Sequence, residues 1–138
     1  MDQSIAGKLQ IKGGRTARVM GAPRSLAAAF AGLSSSKKGP FDVVLLFAAD
    51  RAALAKGTKA ALAALGEGAI LWIAYPKKGS ALAGDLDRDH GWEVIHQAGF
   101  DPVSQVALDE TWSALRWKRD AALRASRVAR GSVLAPDQ

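Results

Sequence analysis

Two unbroken runs of apolar, mostly branched residues restrict what this chain can become. They are Phe41-Asp-Val-Val-Leu-Leu-Phe47, continuous after Asp42, and Ala69-Ile-Leu-Trp-Ile-Ala-Tyr75, cut off by Pro76. A strand with one face in water alternates apolar and polar residues. An unbroken run needs cover on both faces, and parallel sheets are built from such strands. Between the runs lies a helical pattern over residues 51–65, with Leu54, Ala61, Leu62 and Leu65 at helical spacing, Asp50 as N-cap and Gly66 as the stop. Strand, helix, strand in this order predicts a crossover onto a parallel sheet.

The alternation extends in both directions. Segment 16–20, between Gly13-Gly14 and Gly21-Ala-Pro23, reads as a first strand. Pro23 and Ser25 then open a helix with the body Leu26-Ala-Ala-Ala-Phe30-Ala, which Gly32 and the serine-lysine run up to Pro40 end in a loop. After the third strand, residues 77–84 form a loop. Asp85 or Asp87 caps a further helix that turns Trp92, Ile95 and Ala98 inward and stops at Gly99. Segments 103–108 and 111–117 each alternate, and the short Asp109-Glu110 link makes them an antiparallel hairpin. The expected fold is one small three-layer α/β domain over residues 1–118, with a mostly parallel sheet and a C-terminal hairpin. No internal repeat is visible.

At 138 residues and 49% hydrophobic, the chain has the material for one domain with a core of its own. There is no cysteine, so disulfides, thiol nucleophiles and thiolate metal sites are excluded. The apolar runs are far short of the ~20 residues that span a bilayer, and Met1-Asp2-Gln3-Ser4 has no signal-peptide character. The expectation is a cytoplasmic protein without a membrane. The net charge of +6 is uneven: 13 Lys and Arg face 11 Asp and Glu up to residue 115, and six face two beyond it. Residues 119–138 read as a basic, frayed tail, helix-permissive but with only Leu123 and Val128 to pack. Its Arg119, Arg124, Arg127 and Arg130 suit contacts to nucleic-acid phosphates, an alternative function that needs no base-reading element.

Ligands of open parallel sheets bind beyond the carboxyl ends of the strands. Three loops are expected to meet there: Gly21-Ala22-Pro23-Arg24, Ala48-Ala49-Asp50, and Pro76-Lys77-Lys78-Gly79-Ser80. The first opens a helix whose free amide groups favour an anion, and Lys77 and Lys78 add charge to the same rim. Gly21, Ala22, Pro23, Arg24, Asp50, Lys77, Lys78 and Ser80 are therefore the candidate ligand-binding residues, for a small anionic ligand. No catalytic set and no metal site is expected. Asp109 and Glu110 are adjacent, so their side chains point apart, as ordinary turn residues do. His90 and His96 lack a third metal ligand and suit a helix surface. Ser34, Ser35 and Ser36 have no paired histidine. Trp72, Trp92, Trp112 and Trp117 suit the core and its margin.

Several stretches resemble a bacterial family known as Domain of Unknown Function 3052. They are Ile11-Lys-Gly-Gly-Arg15 with Val19-Met-Gly-Ala-Pro23, Phe41-Asp-Val-Val-Leu-Leu-Phe47, Leu71-Trp-Ile-Ala-Tyr-Pro-Lys-Lys-Gly-Ser80 and Asp109-Glu-Thr-Trp-Ser-Ala-Leu115. The resemblance spans residues 4–117 and implies no activity, because that family has none established. The layout is also similar to the second half of a Rossmann-type methyltransferase, which implies a truncated Rossmann-like fold and makes S-adenosylmethionine the alternative ligand. Against that ligand, the first loop reads Gly-Ala-Pro without repeated glycines. The position about 20 residues on, where an acid would hold the ribose, falls at residues 38–41, and Asp42 opens the next strand at its wrong end. The expectation is therefore a non-catalytic module without a cofactor, binding a small anion or a protein partner. A degenerate methyltransferase is the alternative. An edge strand left open by the missing second strand of such a layout offers a route to a homo-oligomer.

Overall fold

The computed structural model describes residues 5–11, 15–30, 40–122 and 125–126. Five strands form one sheet in the order β1-β2-β3-β5-β4. They are β1 (Ala17–Met20), β2 (Phe41–Phe47), β3 (Leu65–Pro76), β4 (Asp101–Ala107) and β5 (Trp112–Lys118). The first three are parallel, with Met20 opposite Leu46 and Leu46 opposite Ile73, so their carboxyl ends reach one edge. β5 runs against both β3 and β4, which leaves four of the five strands pointing the same way. The helices are α1 (Ile5–Lys8), α2 (Arg24–Ala27), α3 (Arg51–Ala64) and α4 (Glu93–Gln97).

Both faces of the central strands are covered, as their unbroken apolar character requires. Val44 and Leu46 of β2, with Leu71, Ile73 and Tyr75 of β3, pack under Leu54 and Ala61 of α3, Ile95 of α4 and Trp92. Val43, Leu45 and Phe47, with Trp72 and Ala74, face Leu9, Ile11 and Leu26 on the other side. Val43, Val44 and Leu45 are 0% exposed, each worth about 1.5–3 kcal/mol relative to leaving the side chain in water. All four tryptophans are buried, as expected. Trp72 Nε1 donates to the Leu9 carbonyl at 2.9 Å and ties the N-terminal segment, to which the sequence pattern assigned no element, onto the sheet.

Several boundaries differ from the sequence expectation, each for a physical reason. The helix after β1 is only α2 followed by a 3-10 turn, Ala28–Phe30. Pro23 stands at its N-cap without a side-chain bond, and of α2 only Leu26 is buried, so the alanine run has too little packing to extend it. Gly66 does not stop α3. The helix ends at Ala64, and Leu65 already pairs with Phe41, which carries Gly66 into β3. Neither Asp85 nor Asp87 caps α4, whose N-cap is Trp92 with no side-chain bond. Asp50 does cap α3, its Oδ1 accepting from Ala53 N at 2.8 Å. The hairpin forms as expected, though β4 begins earlier, at Asp101. No helix among the described residues is long and apolar enough to cross a membrane.

Candidate functional site

β3 ends in the fully buried Pro76, and Lys77 N then donates to the Thr111 carbonyl at 2.7 Å, fixing the strand exit against the hairpin. A turn closes from Ser80 N to the Lys77 carbonyl at 3.0 Å, with Gly79 at φ +91, a conformation that suits glycine. The chain next crosses to α3, where Arg51 N donates to Asp85 Oδ1 at 2.9 Å. Leu86, 0% exposed, pins the following stretch in the core. A tight turn then brings Asp87 and His90 together.

That turn is held by one carboxylate. Asp87 Oδ1 accepts from Asp89 N at 2.9 Å, from His90 N at 3.0 Å and pairs with His90 Nδ1 at 2.9 Å. The His90 ring bond, seconded by the Asp89 amide, holds the Asp87 carboxyl below its ordinary value. Trp92 Nε1 donates to the Asp87 carbonyl at 2.7 Å and clips the turn to the core.

Between this turn and the strand ends lies a cleft of about 410 Å³. Tyr75 and Ser113 sit opposite each other in the β3–β5 register, and Ala107 pairs with Ser113 from the other side. With Gln105, these residues form the floor, and Lys77, Lys78, Arg88 and His90 stand around it. Gln105 Nε2 donates to Tyr75 Oη at 2.8 Å, and the Ser113 side chain also hydrogen-bonds the phenol. Burial pushes the Tyr75 phenol above its ordinary value, so it keeps its proton at neutral pH.

The three strand exits do share one edge, but the cleft gathers only part of the residues expected there. Lys77 and Lys78 line it. Ser80 belongs to the adjoining turn, its hydroxyl oxygen buried and without a partner among the described residues. Gly21, Ala22, Pro23 and Arg24 lie at the end of β1, two strands from β3. Gly21, at φ +75, abuts β2, where a Cβ would meet Phe47 O at 3.2 Å. The helix expected to offer an anion site there is a single turn headed by a proline, with no developed dipole. Asp50 and Asp85 cap the longer α3 instead.

His90 is not on a helix: it stands in the turn before α4, with a side chain 76% exposed. His96 is on α4 and half-exposed, near the Phe100 carbonyl. Asp109 is a turn residue as expected, accepting from Thr111 N and Trp112 N. Arg119 lays its guanidinium 5.1 Å from the centre of the Phe100 ring. Arg124, Arg127, Arg130 and the serines 34–36 lie outside the described residues. No group of three metal-ligating side chains occurs among the described residues.

Tyr75, Asp87, Arg88, His90, Gln105 and Ser113 escaped the sequence reading. Tyr75 could have been found, since it closes the third strand one residue before the turn. Gln105 and Ser113 carried a weaker signal, as polar positions within alternating strands. The Asp87–His90 pairing depends on the turn, which has no distinctive composition.

No protein-family model and no curated protein matches the chain. Solved structures do. The B. subtilis M1A22 tRNA methyltransferase TrmK is similar over 99% of this chain and 75% of its own, at 14% identity and TM-score 0.52. A SAM-dependent methyltransferase of Leishmania major covers 83% of this chain, and 71% of its own is matched, at 11% identity and TM-score 0.49. LepI, solved in complex with SAM, covers 84% of this chain and is matched over 39% of its own, at 14% identity and TM-score 0.48.

These likenesses define a class of fold. The chain is a mixed α/β domain with a mostly parallel sheet, a Rossmann-like fold shared with the tRNA methyltransferase TrmK. They also correct one expectation. The expectation that no cofactor goes with this chain does not stand, because a methyltransferase, TrmK, shares its fold. The missing glycines and ribose acid, on which that expectation rested, are features of one loop and one strand rather than of the fold.

Proposed function

We propose that this domain binds a small anionic molecule in the cleft at the carboxyl end of β3. One observation carries the reading: Lys77 and Lys78 stand side by side on a cleft whose two carboxylates are already engaged. Asp87 is taken by His90 and two backbone amides, and Asp89 faces Arg88 at 3.7 Å. Neither lysine has an ion-pair partner among the described residues, so the cleft carries uncompensated positive charge. The test is a thermal-shift screen with phosphate, sulfate and small carboxylates. Stabilisation of the wild type that disappears in Lys77→Ala/Lys78→Ala supports the reading. Equal responses from both proteins overturn it.

A second reading, S-adenosylmethionine binding, is favoured by the fold shared with TrmK. Its place is the neighbouring edge over β1 and β2. The carboxylates Asp50 and Asp85 each use Oδ1 on an α3 amide, which leaves Oδ2 of each for ribose hydroxyls. Bound there, the cofactor would supply an electrophilic methyl group. Calorimetry with S-adenosylmethionine and S-adenosylhomocysteine decides it: dissociation constants tighter than millimolar support this reading, and weaker ones remove it.

A further inference from the structure

The floor of the cleft narrows the ligand further. Tyr75 and Ser113 bring two hydroxyl hydrogens, and the hydrogen bond between them uses one, whichever group donates. Gln105 Nε2 is a donor to the phenol oxygen and takes up no hydroxyl hydrogen. One O–H is therefore left over. Tyr75 and Ser113 are 2% and 4% exposed, and both line the cleft, so the remaining donor has the cleft in which to find an acceptor. Above it stand two ammonium groups without carboxylate partners. Arg88 is partly neutralised by Asp89, and Asp87 is turned onto the His90 ring and two backbone amides.

Two positive charges over one neutral donor match a doubly charged tetrahedral oxyanion better than a carboxylate. A carboxylate carries one charge in a plane. A terminal phosphate carries close to two charges at neutral pH and three acceptor oxygens, enough to meet both lysines and the floor at once. A phosphodiester carries only one charge.

We propose that the cleft is a site for a terminal phosphate, either free or on a small phosphomonoester, with Tyr75 and Ser113 supplying the neutral donor. This rests on the anion-binding reading above. The spare hydroxyl selects for an acceptor at the floor, and the lysines select for its second charge.

The experiment is calorimetry on the full chain with four probes: inorganic phosphate, glycerol phosphate, dimethyl phosphate and acetate. The two terminal phosphates are expected to bind about tenfold or more tighter than dimethyl phosphate and acetate, the worth of one added charge-assisted bond. Tighter binding of glycerol phosphate than of free phosphate makes the phosphomonoester the ligand; the reverse makes it phosphate itself. Tyr75→Phe/Ser113→Ala is expected to lose about five- to tenfold for the terminal phosphates and to change acetate little. A wild-type measurement avoids any question of folding. Affinity for glycerol phosphate should rise as the pH passes the second ionisation of a phosphomonoester, near about 6, while affinity for sulfate does not. Lys77, Lys78, Arg88, Asp87, Asp89, Tyr75 and His90 face the cleft, and any change in the charge of the cleft acts on both anions alike. The ratio of glycerol phosphate to sulfate affinity therefore isolates the charge on the ligand. If acetate and phosphate bind equally, or the ratio is flat with pH, the phosphate assignment is wrong while the anion cleft stands. If no probe binds, the anion reading itself fails.

Discussion

Asp85→Ala should destabilise the domain by about 1 kcal/mol and loosen one wall of the cleft. The first amides of a helix have no partner within it, and Arg51 N finds its partner in Asp85, 34 residues away, at 2.9 Å. Replacing a capping residue by alanine costs about 0.5–2 kcal/mol, and the carboxylate also sits at the positive end of a fourteen-residue helix. Asp85 is exposed, so water recovers part of the bond, which brings the figure to the middle of that range. For a chain of this size, that corresponds to a melting temperature lower by about 3–5 °C. Asp85→Asn keeps an acceptor and should lose about half as much. Urea unfolding followed by tryptophan fluorescence measures all three proteins. The same variant should respond less to phosphate in the thermal-shift screen, because Asp85 anchors the loop that carries Arg88 and His90 across to α3. An alanine variant within about 0.3 kcal/mol of wild type would show that α3 does not depend on this long-range cap.

Other consequences follow from single contacts. Gly21→Ala should cost about 1–2 kcal/mol in urea unfolding, since φ +75 is strained for alanine and its Cβ would sit 3.2 Å from Phe47 O. Trp72→Phe keeps most of the buried area but strands the Leu9 carbonyl; a loss of about 1–3 kcal/mol is expected, with faster hydrogen exchange in residues 5–11. The Tyr75 phenol is raised by burial, so the folded chain gains stability that is full below the unfolded value and fades as pH rises through the folded one. Tyr75 is the sole tyrosine, and its tyrosinate absorbance should appear above about pH 10 in the folded protein and earlier in urea. Asp87 runs the other way. Held down by His90, it contributes stability above its unfolded value and loses it as pH falls further, so Asp87→Asn should flatten acid unfolding below about pH 4.

The sheet was legible because both central strands declare themselves: 43–47 and 69–75 can only be covered on two faces, and Asp50 caps the helix between them. Local composition misjudged the places where a distant partner decides. Asp85 stands before an apolar helix, as a cap would, yet its partner is on α3. Gly66 ends a helical pattern, yet the pairing of Leu65 with Phe41 takes it into β3. The N-terminal segment has too short a pattern to declare itself, and it is held by one indole bond from Trp72.

The edge where ligands bind was likewise deducible from strand direction, and Lys77 and Lys78 with it. Which end of that edge opens into a cleft was not. That depends on Asp87, His90 and Trp92 folding a wall over Tyr75, and on the hairpin bringing Gln105 and Ser113 beneath it.

The proposed cleft puts recognition over β3 and the hairpin rather than over β1. Amide chemical shifts followed during a titration with inorganic phosphate test it most directly. Shifts are expected at Lys77, Lys78, His90 and Ser113, with the amides of Gly21, Ala22 and Arg24 still. Movement at Gly21 to Arg24 or at the start of α3, with the cleft unmoved, would contradict it.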